Sequence, residues 1–132
     1  MGFLDRFSPQ LLSALRIVSA LLFIEHGTTK LLQFPPSEMF AQAPPLGSLM
    51  WFAGILEAGG GALLLLGLFT RPVAFVLSGM MAVAYWMVHA PQSIYPLQNG
   101  GDPAILFCFV FLYIAAAGPG AWALDNMIGK KK

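Results

Sequence analysis

The residues of this chain best placed to do chemistry are the few charges set in apolar surroundings. Glu57 lies about eight residues into a run of some twenty, Leu49 to Phe69, that holds no other charge and is long enough to cross a bilayer. A carboxylate at that depth costs on the order of 3 kcal/mol on insertion scales, so it calls for a partner or a task. One turn away on either side stand Ala53, Gly54, Gly60 and Gly61, small residues that let a second helix come close on the Glu57 face. The basic partners are in the run Leu11 to Lys30. At about 100° per residue, Arg16, Ser19, Ala20, Phe23, His26, Gly27 and Lys30 share an arc of about 120°, with Glu25 nearly opposite Arg16. A rise of about 1.5 Å per residue puts Glu57 at a depth between Arg16 and His26. The longer, permanently protonated guanidinium makes an Arg16–Glu57 ion pair the first expectation, with His26 as second partner or as a link through water. Such a pair can simply lock two helices together, since buried pairs often do no more than specify packing. An intramembrane Glu, His, Lys and Arg on one helix pair is equally a signature of function. On that reading His26 and Glu57 are the catalytic candidates, as proton donors and acceptors, and Arg16 and Lys30 are ligand-binding candidates.

A second polar group comprises Lys30, His89 and the segment Gln98-Asn99-Gly100-Gly101-Asp102. A compact bundle would gather His89, Asn99 and Asp102 above Glu57 as further ligand-binding residues. The plainer alternative is that His89 ends a helix in water and that Asn99-Gly100-Gly101 is a turn in its own right. No His/Cys spacing suits a metal, and the lone Cys108 cannot close an intrachain disulfide. Cys108 reads as a small buried apolar side chain.

These residues must be carried by helices in lipid. With 58% hydrophobic and 10% charged residues the chain lies far from soluble domains, in which about 25% of residues are charged. Its composition predicts an all-α integral membrane four-helix bundle, one domain over residues 1–132, with helices at about 11–30, 49–69, 72–89 and 103–122. The net charge of +1, with no basic patch, gives no reason to expect nucleic acid as a partner. Arg16 interrupts the first run, and Glu25, His26 and Lys30 occupy its distal end without a small-x-small site, so it reads as a helix rather than a signal peptide.

Orientation follows from the basic residues. Arg6, Arg71 and the terminal Lys130, Lys131 and Lys132 flank one side, whereas segments 31–48 and 90–103 contain no Lys or Arg, which predicts cytoplasmic N and C termini and an even number of spans. Trp51, Trp86 and Trp122 fall near helix ends, where amphipathic rings anchor. Thr70-Arg71-Pro72 and Asp102-Pro103 each place proline in a first helical turn, with Asp102 the expected N-cap, and the former makes the second connection a tight turn. Pro35, Pro36, Pro44, Pro45, Pro91 and Pro96 stiffen the other two, where Met39 and Phe40 are expected to lie along the membrane surface.

The segments His26-Gly27-Thr28-Thr29-Lys30-Leu31, Glu57-Ala58-Gly59-Gly60 with Gly67-Leu68-Phe69-Thr70-Arg71, and Asn99-Gly100-Gly101-Asp102 with Gly118-Pro119-Gly120-Ala121-Trp122 and Leu124-Asp125 together resemble the DoxX family. Arg16 ahead of His26-Gly27 fits the same pattern, and the likeness runs from Arg16 to Asp125 in the family's order. The chain departs from the family in Asp102, where Glu is usual, and in Ala123, where Ser is common. The resemblance implies a small four-helix protein of the bacterial cytoplasmic membrane, associated with quinone-linked thiosulfate oxidation and terminal oxidases.

On that basis the leading expectation is a membrane subunit or accessory of an oxidoreductase system that serves sulfur or thiol oxidation or protects against oxidative stress, and that binds a quinone headgroup. Quinone carbonyls accept hydrogen bonds, for which His26, Glu57 and Lys30 are suitable donors, and Phe23, Trp51 and Trp86 could cover the ring. No flavin, dinucleotide or iron–sulfur motif is present, so no intrinsic cofactor is expected and the redox centre would come from quinone or from a redox partner protein. The alternative is a scaffold or small-solute carrier whose ion pair is structural, with the small residues of the second helix available for a homo-oligomer.

Overall fold

The computed structural model describes residues 2–129; Lys130, Lys131 and Lys132, used above to orient the chain, lie outside the described residues. The helices are α1 (Gly2–Asp5), α2 (Ser8–Leu32), α3 (Leu49–Leu66), α4 (Thr70–Ala84, continuing as a π-helical turn Tyr85–His89), α5 (Pro96–Asn99), α6 (Asp102–Ala117) and α7 (Leu124–Gly129), with no strand among the described residues. The helices α2, α3 and α4 with its π-turn are long and apolar enough to cross a membrane, while α6 is apolar but shorter. Its 16 residues rise about 24 Å, somewhat less than the roughly 30 Å hydrocarbon core.

Local chemistry sets the boundaries. Pro9 sits in the first turn of α2, where its missing N–H costs nothing, so that helix begins before the expected Leu11. α3 ends at Leu66 rather than Phe69, because Gly67 (φ 69°) turns left-handed and the Gly67 and Leu68 amides donate back to Leu64 and Leu63 at 3.1 and 2.9 Å. α6 stops at Ala117 instead of Trp122: Gly118 takes φ 93° and Pro119 follows. Asp102 is the first helical residue rather than the cap. Gly101 holds the cap position without a side-chain bond, and the Asp102 carboxylate acts only as a charge near the positive end of the helix.

The helices pack as two close pairs, α2 on α3 and α4 on α6; α3 and α4 touch less, and α2 and α6 less still. The pairs meet through Ala20 and Phe23 of α2, Leu64 of α3, Ala74, Leu77 and Met81 of α4, and Ala104, Phe111 and Ile114 of α6. The α2–α3 approach depends on glycine. A Cβ on Gly27 would stand 2.6 Å from the Ala58 amide nitrogen and 2.9 Å from the Gly54 carbonyl oxygen, so at this crossing the backbones are nearly in contact. Leu21, Leu22, Val76, Phe75 and Phe109 are exposed on the outside of the bundle, as expected of a surface that faces acyl chains.

One end of the bundle is closed by the segment after α6. The Ala121 amide donates to Pro9 O (3.0 Å), the Trp122 amide to Ser13 Oγ (2.9 Å), and Ser13 Oγ to Pro119 O (3.1 Å). Arg16 donates to Pro119 O and to Trp122 O, the latter at 2.6 Å. Arg71 donates to Ala115 O (3.2 Å) and Ala116 O, carbonyls left free at the end of α6. The Phe69 and Thr70 amides donate to the two carboxylate oxygens of Asp125 at 2.8 and 2.9 Å, which caps α4 from a distant part of the chain. The start of α2, the α3–α4 turn, the end of α6 and α7 therefore share one end of the molecule.

Candidate functional site

Lys30 and Glu57 form a salt bridge, Nζ to Oε1, across the α2–α3 crossing. Glu57 is 2% exposed, and its second oxygen, Oε2, is buried without a hydrogen-bond partner. The Lys30 side chain is 13% exposed, and its ammonium lies 5.6 Å from the centre of the Phe40 ring, which the 33–48 connection folds over it. Phe40 is thus turned onto the pair rather than lying along the membrane surface; Met39 beside it is exposed. The connection is fastened near its root, where Thr29 Oγ1 donates to Pro35 O (2.9 Å) and Gln33 Nε2 to Lys30 O (3.0 Å).

The expected Arg16–Glu57 pair does not form. The depth estimate assumed that the far ends of the first two helices are level, whereas Glu57 lies level with Gly27, as the 3.0 Å between Glu57 Cβ and a Cβ built on Gly27 indicates. Glu57 is eight residues from the start of α3 and Gly27 five from the end of α2, a stagger of about 4.5 Å that brings Lys30 into reach and leaves Arg16 too deep. Arg16, 1% exposed, instead serves the carbonyls of the closing segment. No feature of the sequence announced that Pro119 and Trp122 would fold in to meet it. Ser13, one turn before Arg16 on the same face, was the only hint of a polar site there.

His26 shares a face with Lys30, one turn away. Its Nδ1 is 2.8 Å from Leu22 O. A carbonyl cannot donate, so Nδ1 carries the hydrogen and Nε2 is bare in the neutral ring. The ring is exposed and stands edge-on to Phe107 of α6 at 5.7 Å. Phe107 in turn stacks with Phe111 and meets the buried Phe23, so an aromatic wall backs this part of the site. Of the rings expected to cover a ligand, Phe23 is in that wall, whereas Trp86 is 70% exposed beside Tyr85 and Trp51 packs on Phe52.

His89 and Asn99 do come together, in a separate group. His89 Nδ1 donates to Asn99 O (2.9 Å), Asn99 Nδ2 donates to Ser93 O (2.9 Å) and Tyr85 Oη (3.3 Å), and Asn99 Oδ1 accepts from the Gly101 amide (2.8 Å). Asn99 is 3% exposed and its side chain is fully used in holding the loop. Its partners lie in the second helix pair and its own loop, and Asp102 is exposed at the start of α6, so these residues do not join Lys30 in one described contact. A hollow of about 430 Å³ lies against Gln33, Pro36 and Glu38, and an apolar groove of about 410 Å³ runs between α3 and α4 along Gly59, Gly60 and Val73. Neither is lined by Glu57, Lys30 or His26.

At the closed end, Asp125 is held below the ordinary carboxylate range. Burial alone pushes it up, but the hydrogen bonds from Thr70 and Phe69 and the charge of Arg16 outweigh that.

A helical membrane protein with a buried acid–base pair is the class these features define. The chain belongs to the DoxX family, whose pattern matches residues 11–90. It is 43% identical over 134 residues to an uncharacterized protein of Haemophilus influenzae, covering 99% of this chain and all of that one. It is also similar to two proteins of Escherichia coli: inner membrane protein YqjF, 27% identical with 88% of this chain and 90% of that one covered, and inner membrane protein YphA, 30% identical with 89% and 90% covered. No solved structure matches the chain.

Proposed function

We propose that the chain is a multi-pass protein of the bacterial cytoplasmic membrane, with both termini cytoplasmic, that serves a quinone-linked oxidoreductase system by binding the headgroup beside Glu57. The observation that supports this reading is the unpartnered, buried Oε2 of Glu57 beside the Lys30 bridge; one turn from Lys30 on the same helix face stands the exposed His26, edge-on to Phe107. An orphaned carboxylate oxygen in lipid invites a ligand, and the half-buried Phe107 ring leaves an aromatic surface beside His26. Quinone, when bound, would supply the electron-carrying chemistry that no motif in this chain supplies. Glu57 and His26 would hold and move the proton, with the Lys30 ammonium pairing the Glu57 carboxylate once the proton has left. Orientation is supported by Arg6 and Arg71 at the closed end and by the absence of Lys and Arg in 31–48 and 90–103. Two relatives named as inner membrane proteins support the location.

The test is purification in mild detergent with native lipid, organic extraction and mass spectrometry. Wild type should carry quinone near one per chain, and Glu57→Ala at least tenfold less. The second reading, a scaffold whose ion pair is structural, is favoured by the near-complete burial of Glu57 under the Gly27 crossing. Equal quinone in both proteins, together with unchanged membrane redox activity in a Glu57→Gln, His26→Ala strain, would decide for the scaffold.

A further inference from the structure

The net charge of +1 hides a division of charge along the length of the bundle. Two of the seven Lys and Arg residues are drawn into the fold, Arg16 onto the carbonyls of the closing segment and Lys30 onto Glu57. The other five belong to the closed end. Arg6 lies three residues before Pro9, Arg71 follows Thr70, and Lys130, Lys131 and Lys132 follow α7 directly in the sequence. Against them stands the exposed Asp5, because both carboxylate oxygens of Asp125 are taken by the Phe69 and Thr70 amides. Glu25, Glu38 and Asp102, all exposed, lie toward the opposite end. The closed end also leaves large apolar side chains uncovered, with Phe3, Phe69, Trp122 and Met127 each more than half exposed. Apolar groups rimmed by cations suit the boundary of a bilayer, where rings reach the acyl region and cations meet phosphate.

Both guanidiniums at this end are held without being used up. Arg71 spends Nη1 on Ala115 O and Ala116 O, which fixes an exposed group at the rim with Nη2 and Nε remaining for an anion. Arg6 is exposed, and its guanidinium lies 4.8 Å from the centre of the Phe7 ring, a contact that consumes no N–H donor.

We propose that the closed end is a docking surface for anionic phospholipid, with Arg6, Arg71, Lys130, Lys131 and Lys132 on the phosphates of net-negative headgroups and Phe69, Trp122 and Met127 in the adjoining acyl boundary. A zwitterionic headgroup offers the same phosphate but offsets it with an ammonium, so the surface selects for net charge. Each Lys or Arg close to an anionic surface adds about a fivefold preference.

In the test, delipidated protein in a neutral maltoside detergent is titrated with phosphatidylglycerol and with phosphatidylcholine of the same acyl chains, and bound lipid is counted by native mass spectrometry. Phosphatidylglycerol should bind at least tenfold tighter, with an advantage that shrinks as ionic strength rises. The combined variant Arg6→Gln, Lys130→Gln, Lys131→Gln, Lys132→Gln touches none of the hydrogen bonds described for the closing segment. It should keep its melting curve and lose the advantage to less than threefold. Glu25→Gln with Glu38→Gln removes negative charge from the opposite end and should leave the advantage within twofold. Equal affinity for the two lipids in wild type overturns the proposal, as does an advantage that is insensitive to salt or survives loss of the four cations. An advantage that rises with the Glu substitutions as much as it falls with the others reports net charge rather than this surface, and overturns it too. The surface lies at the opposite end of α2 from Lys30, so either result leaves the quinone reading as it stood.

Discussion

Removing either partner of the Lys30–Glu57 pair should be costly, and unequally so. Breaking a buried pair from one side costs about 3–5 kcal/mol, because an uncompensated charge is left behind. Lys30→Met strands a carboxylate that is 2% exposed, so that variant should fall at the upper end of the range. Glu57→Ala strands an ammonium whose side chain is already 13% exposed and which sits two residues from the end of α2. A flexible lysine there can turn toward the interface, which should hold the loss to about 2 kcal/mol. The double change Glu57→Ala, Lys30→Met leaves no charge and should lie within about 1 kcal/mol of wild type, apart from the small cavity. At about 3 °C per kcal/mol for a chain of this size, the melting temperature in one detergent should drop by roughly 15 °C for Lys30→Met, 6 °C for Glu57→Ala and 3 °C or less for both. If the double variant loses the sum of the two single losses, the pair is not the unit described and the reasoning fails.

Three other outcomes follow from the same geometry. Arg16→Met should cost about 2–3 kcal/mol by leaving Pro119 O and Trp122 O unpaired, and its effect should add to that of Glu57→Ala within about 0.5 kcal/mol; a large coupling in melting experiments would revive a direct Arg16–Glu57 contact. Gly27→Leu should separate α2 from α3 and cost about 2–3 kcal/mol or prevent folding, whereas Gly79→Ala, which meets nothing within 4 Å, should be neutral or slightly stabilising; the reverse order would contradict the crossing. Asp125→Asn should remove about 1 kcal/mol by weakening the cap on α4. Because the folded Asp125 carboxyl titrates below its unfolded value, its contribution is present above about pH 4 and is lost as the pH falls through the folded value. Wild type should therefore lose more stability than Asp125→Asn on acidification, and parallel melting curves from pH 6 to 3 would count against the cap.

The parts of this molecule that periodicity and punctuation can reach were legible in the sequence. Four apolar runs, the proline-led starts of α4 and α6 and the small face around Glu57 all have their causes within a few residues. What sequence reasoning missed lies between distant segments. Glu57 was recognised as needing a cation, but the choice between Arg16 and Lys30 depended on a stagger of α2 against α3 that no local signal encodes. Gly118-Pro119-Gly120 carries enough local information to end α6 at Ala117, although the apolar character of the chain continues to Trp122. Phe40 and Phe107 looked like ordinary apolar residues, and only the fold turns one over Lys30 and sets the other against His26. Asn99 was singled out for chemistry, yet its side chain proves to be occupied with holding its own loop.

The closing segment has a consequence for biosynthesis. The acceptors of Arg16 are 103 and 106 residues further along the chain, so at about 5–20 residues per second the guanidinium waits some 5–20 s of translation before its partners exist. Until then the first span carries an unanswered cation, and a polypeptide released short of Pro119 would keep it.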